Sequence, residues 1–105
     1  MRQDAMILEV AVLDVKPGQE DEFERAFGLA QEILLSMAGH VSHELQRCVE
    51  IESRYILLVK WEKLEDHTQG FRGSSKYQKW KKLLHHFYDP FPVVEHYKIV
   101  CRGGA

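Results

Sequence analysis

Residues 6–15 read MILEVAVLDV, a run in which valine, leucine and isoleucine occupy both odd and even positions. A strand points successive side chains to opposite faces of its sheet, so a strand of this composition is apolar on both faces. Such strands suit the centre of a sheet, where both faces are covered. The sequence therefore predicts a sheet with residues 6–15 at its centre.

The segment that begins PGQEDEFERAF predicts the first helix. Its first turns hold four acidic residues, near the positive end of the helix dipole. Its apolar residues recur at helical spacing and so share one face: Phe23, Phe27, Ala30, Leu34 and Met37. Gly39 is the expected C-terminal stop.

Two strands in a hairpin are predicted next. HVSHELQRCVEI alternates its side chains, so that Val41, His43, Leu45 and Arg47 share one face, and SRYILLVKWE follows after a short polar break. Cys48 and Cys101 match no CxxC spacing, and we expect both to be free thiols in strands.

The stretch LEDHTQGFRGSSKYQKW predicts two short helices. Leu64 to Phe71 forms the first, which ends at Gly73, and Ser75 with Gln78 makes the capping pattern that opens the second. The second helix presents aromatic and leucine side chains on one face: Tyr77, Trp80, Leu84 and Phe87. Pro90 ends it, and residues 93–101 are predicted as the last strand.

The resulting order, β-α-β-β-α-β, is that of a ferredoxin-like α+β fold with a four-stranded antiparallel sheet, and the 105 residues predict one domain, 1–105. The helices should cover one sheet face only. The apolar residues on both faces of residues 6–15 and of the third strand exceed what one covered face requires. An uncovered apolar face of that size indicates a partner.

Composition excludes several function classes. Fourteen basic against sixteen acidic residues give a net charge of −2, which argues against general nucleic-acid binding. No apolar run reaches the roughly 20 residues that span a bilayer, and acids at Asp4 and Glu9 interrupt what a signal peptide would keep apolar. We therefore expect a cytoplasmic protein that does not bind membranes.

Metal and nucleotide motifs are also missing from the sequence. No two of the six histidines stand four residues apart, as a helical metal pair requires, and the adjacent His85 and His86 diverge on a helix. His40 and His96 are interpreted as surface or edge residues. The sequence contains no GxGxxG, GxxxxGK[ST] or GxSxG pattern. We expect neither metal nor cofactor.

Four segments together resemble the antibiotic-biosynthesis-monooxygenase-like domains of the dimeric α+β-barrel superfamily: PGQEDEFERAF, AGHVSHELQR, RYILLVKWEKLEDHTQGFRGSSKY and FPVVEHY. The resemblance implies a homodimer whose two sheets face each other, with the end of the last strand exchanged toward the partner. It also implies a small-molecule cavity between each sheet and its helices. The family includes cofactor-free oxygenases that act on phenolic or quinol-type compounds, haem-degrading enzymes and members without an assigned reaction.

The chain departs from two patterns of that family. The haem-degrading branch carries an Asn, a Trp and an iron-binding His, whereas this chain has no Asn, and Phe71 and Trp80 fall where the Trp and the His would lie. The cofactor-free oxygenases also use an Asn beside a Trp and a Tyr. Only the two aromatics have candidates here, Trp61 and Tyr77.

Histidine suits the base that such an oxygenase needs, because its pKa lies near neutrality. His67 and His43 are the candidate catalytic residues. His67 and Phe71 lie four apart on a helix and face the same way, and Arg72 follows as a cationic anchor. The candidate substrate-binding residues are Trp61, Phe71, Arg72, Tyr77 and Trp80. Each histidine and aromatic also has a packing interpretation, as a core or surface residue.

Three functions remain open at this point. The first is a cofactor-independent monooxygenase acting on a quinol or phenolic aromatic molecule. The second is a dimeric barrel that binds a small ligand without catalysis, and the third is another barrel enzyme, such as an isomerase or dehydratase. An oxygenase needs a titratable group at a buried cavity, whereas a binding protein needs only the cavity and a few orienting polar groups.

Overall fold

The computed structural model describes residues 6–104 and shows one four-stranded antiparallel sheet of order β2-β3-β1-β4. Its strands are β1 (Ile7–Asp14), β2 (His40–Arg47), β3 (Arg54–Trp61) and β4 (Val94–Tyr97). The helices are α1 (Glu20–Leu35) and α2 (Ser75–Leu84), with a π-helical segment at Asp66–Phe71 and a 3₁₀ turn at His85–Phe87. The predicted ferredoxin-like α+β fold is confirmed.

The two apolar strands lie at the centre of the sheet, as the sequence predicts. β1 pairs with β3 over its whole length, with Val10 opposite Leu58, and with β4 on its other side. One face of this pair is covered by the helices and holds most of the core, including Ala11, Leu13, Tyr55, Leu57, Val59 and Trp61. The opposite face is only partly buried, and Val12 is 43% exposed there.

Helix α1 contacts the sheet through the predicted apolar face. Phe23, Phe27, Ala30 and Leu34 are buried, and three acidic residues occupy its first turn. The chain leaves the helix through Gly39, which has a φ of 85° and lies directly against the Asp66 side chain. A side chain at this position would require a strained backbone and would collide with that carboxyl group.

Four details of the sequence interpretation are corrected. The helix predicted over Leu64 to Phe71 is present, but from Asp66 to Phe71 it is a π-helix, which is wound more widely than an α-helix. Ser74, not Ser75, caps α2, since its Oγ accepts a hydrogen bond from the Tyr77 backbone N–H. β4 covers only Val94–Tyr97 because its pairing with β1 stops there, so residues 93 and 98–101 are not strand. Cys48 and Cys101 are free but lie outside the strands.

Within residues 6–104, no helix is long and apolar enough to span a membrane. No cluster of three or more His, Cys, Asp or Glu side chains in that range is placed to hold a metal ion.

Replacing Trp80 with alanine should lower the free energy of unfolding by about 3 kcal/mol. The indole is only 6% exposed and packs edge-on against Phe27 and Phe71, with ring centroids 5.9 and 5.4 Å away. Urea unfolding measures the loss, with the exposed neighbour Lys79→Ala as the control. A Trp80→Ala variant with the wild-type midpoint would show that this ring lines a cavity without supporting the core.

Candidate active site

A cavity of about 340 Å³ lies between the sheet, the π-helical segment, α2 and the chain that leads into β4. Its volume falls at the lower end of the range for small-molecule sites, roughly 300 to 1,000 Å³. Five of the predicted site residues line it: His67, Phe71, Arg72, Tyr77 and Trp80. The π-helical segment supplies the first two, both nearly inaccessible to solvent.

Glu9 is the acidic group of this cavity. Its odd position on β1 points it to the helix-covered face, where it is 5% exposed and lines the cavity. Its Oε1 accepts a hydrogen bond from the Trp61 indole N–H at 2.9 Å. Burial raises the pKa of Glu9 from 4.5 to about 7, although the Trp61 hydrogen bond and the charge of Arg72 oppose the shift. Near neutral pH this carboxyl group therefore populates both its ionised and its protonated form.

His67 lies directly over Glu9. Its Nε2 is 3.4 Å from Glu9 Oε1, and its ring stacks on the Trp61 indole at a centroid distance of 5.6 Å. Burial lowers the pKa of His67 to about 3, and the charges of Arg72 and His96 act in the same direction. The imidazole is therefore neutral at physiological pH, so its contact with Glu9 is a close approach of Nε2 and Oε1 without an ion pair.

His96 extends the same cluster toward the edge of the sheet. It stands directly opposite Glu9 in the β1–β4 pairing, and its Nε2 lies 2.8 Å from His67 Nδ1. The ring is half-buried, and burial together with Arg72 lowers its pKa. Sequence reasoning interpreted His96 as an edge residue without a role; its strand is an edge, but its ring belongs to the site.

Aromatic rings form the opposite wall of the cavity. The Phe71 ring meets Tyr77 and Trp80 edge-on, at centroid distances of 5.2 and 5.4 Å. Tyr88 and His85 complete this side, and burial raises the pKa of the Tyr88 hydroxyl and lowers that of His85. These rings offer flat apolar surfaces to an aromatic ligand.

Arg72 supplies the positive charge at the site. It is exposed but also lines the cavity, and it lowers the pKa of Glu9, His67 and His96 through its charge. A cation beside a cavity favours ligands that are anionic or become so.

Two predicted residues lie elsewhere. Trp61 is fully buried behind Glu9 and His67 and contacts them without lining the cavity. His43 lies in a separate, open groove between α1 and β2, where its ring nitrogens contact His40 and Gln31 at 2.8 and 2.9 Å. The structure therefore does not bring His43 to the cavity that holds His67.

Glu9 was missed as a site residue, although the sequence carried a signal for it. It is the one acid among the inward positions of β1, where its neighbours of the same parity are Ile7, Ala11 and Leu13. A carboxyl group in the middle of an apolar strand face is costly to bury and therefore points to a function. No comparable signal marks His96, because its role depends on a cross-strand contact.

Known proteins resemble this chain in sequence and in fold. The sequence profile of the family described as antibiotic biosynthesis monooxygenase matches residues 6–83. The chain belongs to this family. The resemblance in the sequence is thereby confirmed, and the antibiotic biosynthesis monooxygenase fold accounts for the position of the cavity between sheet and helices.

Three relatives illustrate the range of similarity. YczJ of Bacillus subtilis strain 168, named as an uncharacterized protein, is 56% identical over 95 residues, 90% of this chain and all of YczJ. A crystal structure from Bordetella bronchiseptica, described as a candidate antibiotic biosynthesis monooxygenase, is 34% identical with a TM-score of 0.88 and covers 92% of this chain and 99% of its own.

The third relative is more distant. SnoaB of Streptomyces nogalater, described as a cofactor-independent oxygenase, is 18% identical with a TM-score of 0.72, over 95% of this chain and 96% of its own. At that identity the likeness shows the fold alone.

Proposed function

We propose that this member of the antibiotic biosynthesis monooxygenase family is a cofactor-independent monooxygenase that acts on a quinol or phenolic aromatic molecule bound in the Glu9 cavity. The observation that carries the proposal is a buried carboxyl group, with its pKa raised to about 7, in the wall of an aromatic cavity. A general base is most effective when its pKa lies near the working pH. Membership of the antibiotic biosynthesis monooxygenase family supports the reaction class.

Glu9 takes the role that the sequence suggested for His67. An imidazole whose pKa is lowered to about 3 is a weak base, whereas a carboxylate whose pKa is raised to about 7 removes a phenolic proton far more readily. His67 remains a catalytic residue in this proposal, since it lines the cavity and its Nε2 lies 3.4 Å from the carboxyl group that accepts the proton. Arg72 stabilises the phenolate that forms.

The chemistry balances with oxygen as the only co-reactant. The quinol anion gives one electron to O₂, and the resulting radical and superoxide join to form a C–O bond at a ring carbon. The ring C–H is then lost as a proton while the O–O bond breaks. One oxygen atom stays on the ring and the other leaves as water, which takes up the ring proton and one proton from solvent, equal in number to the one that Glu9 removed. A hydroquinone and O₂ thus give a hydroxyquinone and water, with the four electrons supplied by the substrate.

Oxygen consumption with reduced dihydroxynaphthalenes tests the proposal. The wild-type protein, freed of trace metal and without added flavin, should consume oxygen faster than buffer. His67→Ala should lower the rate about 10²-fold, at the lower end of the usual contribution of acid–base residues, when it is measured at a temperature where circular dichroism shows the variant fully folded. His43→Ala is the matched control and should keep the rate, since His43 lies in the other groove.

Absence of oxygen consumption above buffer across several quinols would refute the oxygenase. If an aromatic compound still bound to the cavity, the protein would instead be a ligand-binding barrel. Turnover of an aromatic compound without oxygen would point to an isomerase or dehydratase.

We also propose that the chain forms a homodimer through the uncovered sheet face. Val10, Val12, Ile56 and Leu58 lie on that face and are only partly buried or exposed. Sedimentation should give twice the chain mass of 12.3 kDa, and Leu58→Glu should shift the protein toward the monomer because it places a charge on the apolar face. A wild-type monomer at micromolar concentration would contradict this assembly.

A further inference from the structure

Glu9 is a buried carboxyl group that must exchange its proton with solvent while substrate fills the cavity. Glu9 and His67 both line the cavity, and both are almost fully buried. His96 is half-buried on the edge strand β4, on the far side of His67. The three side chains thus form a row that leads from the cavity toward solvent.

We propose that His67 and His96 form a proton relay between Glu9 and solvent, so that Glu9 regains its ionised form while substrate occupies the cavity. The relay deepens the proposed function, because it rests on Glu9 as the base that removes the phenolic proton.

Each transfer in the relay moves one proton and changes no other bond. The protonated Glu9 gives its proton from Oε1 to His67 Nε2, across the 3.4 Å contact. His67 gives the proton on Nδ1 to His96 Nε2, 2.8 Å away. His96 releases the proton on its own Nδ1 to water. One proton leaves Glu9 and one enters solvent. The same transfers in reverse return a proton to Glu9.

The position of each group fits this path. The Trp61 indole donates to the same Glu9 oxygen that faces His67, and it stacks on the His67 ring, so both groups are held in place. Neither imidazole needs to become a stable cation, which their burial disfavours, because each ring accepts a proton on one nitrogen as it gives one from the other.

The relay has a consequence that can be measured without substrate. When Glu9 is protonated, its O–H donates to His67 Nε2, so both imidazoles carry their proton on Nδ1. When Glu9 is ionised, His67 Nε2–H donates to the carboxylate, and His96 Nε2–H donates to His67 Nδ1. The tautomers of both rings should therefore invert together as Glu9 titrates.

The other groups around the row do not account for such an inversion. Arg72 is the cation that acts on all three members. Trp61 of β3 is a hydrogen-bond donor without a titration in this range. Tyr77, His85 and Tyr88 line the cavity with Glu9 and His67, and His85 can be followed in the same spectra.

Nitrogen NMR of the wild-type protein with labelled histidines tests the relay between pH 5 and pH 9. We expect the proton of His67 and that of His96 to shift from Nδ1 to Nε2 as the pH rises through about 7, the pKa of Glu9. In Glu9→Gln this shared transition should disappear. The His40–His43 pair is an internal control, because it ends at the uncharged amide of Gln31 and should show no transition coupled to Glu9.

Rings that keep one tautomer while the Glu9 carboxyl carbon titrates would overturn the relay, and so would a transition of one ring alone. These outcomes are separate from those of the oxygen experiment. Fixed tautomers in a protein that consumes oxygen would refute the relay and keep the oxygenase. Coupled inversion in a protein that consumes no oxygen would keep the relay and refute the oxygenase.

Discussion

Replacing Glu9 with glutamine should lower the rate of oxygen consumption by about 10² to 10⁴, the range that general acid–base groups contribute. Glutamine keeps the shape of the side chain and an oxygen that can accept the Trp61 hydrogen bond, but it cannot take a proton from a phenol. The loss should lie in turnover more than in substrate affinity, because the aromatic wall and Arg72 are unchanged. Oxygen uptake at several quinol concentrations separates the effect on turnover from the effect on substrate affinity.

The control for this substitution is Glu62→Gln. Glu62 is exposed and follows β3 directly, so the change of charge is the same but the cavity is not involved. Its rate should equal that of the wild-type protein. If Glu9→Gln kept a rate within about threefold of wild type, Glu9 would not be the base.

Glu9→Gln should also be more stable, relative to the wild-type protein, at alkaline pH than at acidic pH. The pKa of Glu9 is raised from 4.5 to about 7 in the folded protein, so the folded state favours the protonated carboxyl. Its contribution to stability is fully present below about pH 4.5 and is lost as the pH rises through 7. A shift of this size corresponds to about 3 kcal/mol. Because Glu9→Gln cannot ionise, its free energy of unfolding should rise relative to wild type by up to that amount between pH 4 and pH 9.

Urea unfolding at a series of pH values measures this difference. His67 acts in the opposite sense, because its pKa is lowered to about 3 and its contribution is lost as the pH falls from 6.5 toward 3. His67 is present in both proteins, so comparing them isolates Glu9. Glu62→Gln should show no comparable gain. A stability difference that stays constant with pH would mean that Glu9 titrates as an ordinary surface acid.

Most of the fold follows from the sequence because it depends on periodicity. β1 and β3 are apolar on both faces, which specifies central strands. Phe23 and Phe27 recur at helical spacing, which specifies α1 and the face that it buries. The errors lie at element ends. β4 stops at Tyr97, opposite Leu8, although β1 itself extends to Ile7. The cap of α2 is Ser74 and not its neighbour, because Ser74 has the extended backbone of a cap.

The site was less accessible to sequence reasoning. The sequence groups His67, Phe71 and Arg72 because their spacing on one helical segment places them together, and the three line one cavity. Glu9 and His96 meet His67 because of the β1–β4 register and because the π-helical segment lies over the sheet. The sequence of a single strand does not reveal that register or that position. His43 shares its alternation pattern with cavity-facing residues, but β2 lies on the far side of β3 from β1.

A crystal structure of the protein with a dihydroxynaphthalene, prepared without oxygen so that the quinol stays reduced, would show whether the substrate hydroxyl lies against Glu9. We expect the ring beside Phe71 and Trp80 and one hydroxyl oxygen within about 2.6 to 3.2 Å of the Glu9 carboxyl group, the distance that proton transfer requires. A quinol bound in the His43 groove, or one in the cavity with both hydroxyl groups turned away from Glu9, would contradict the account.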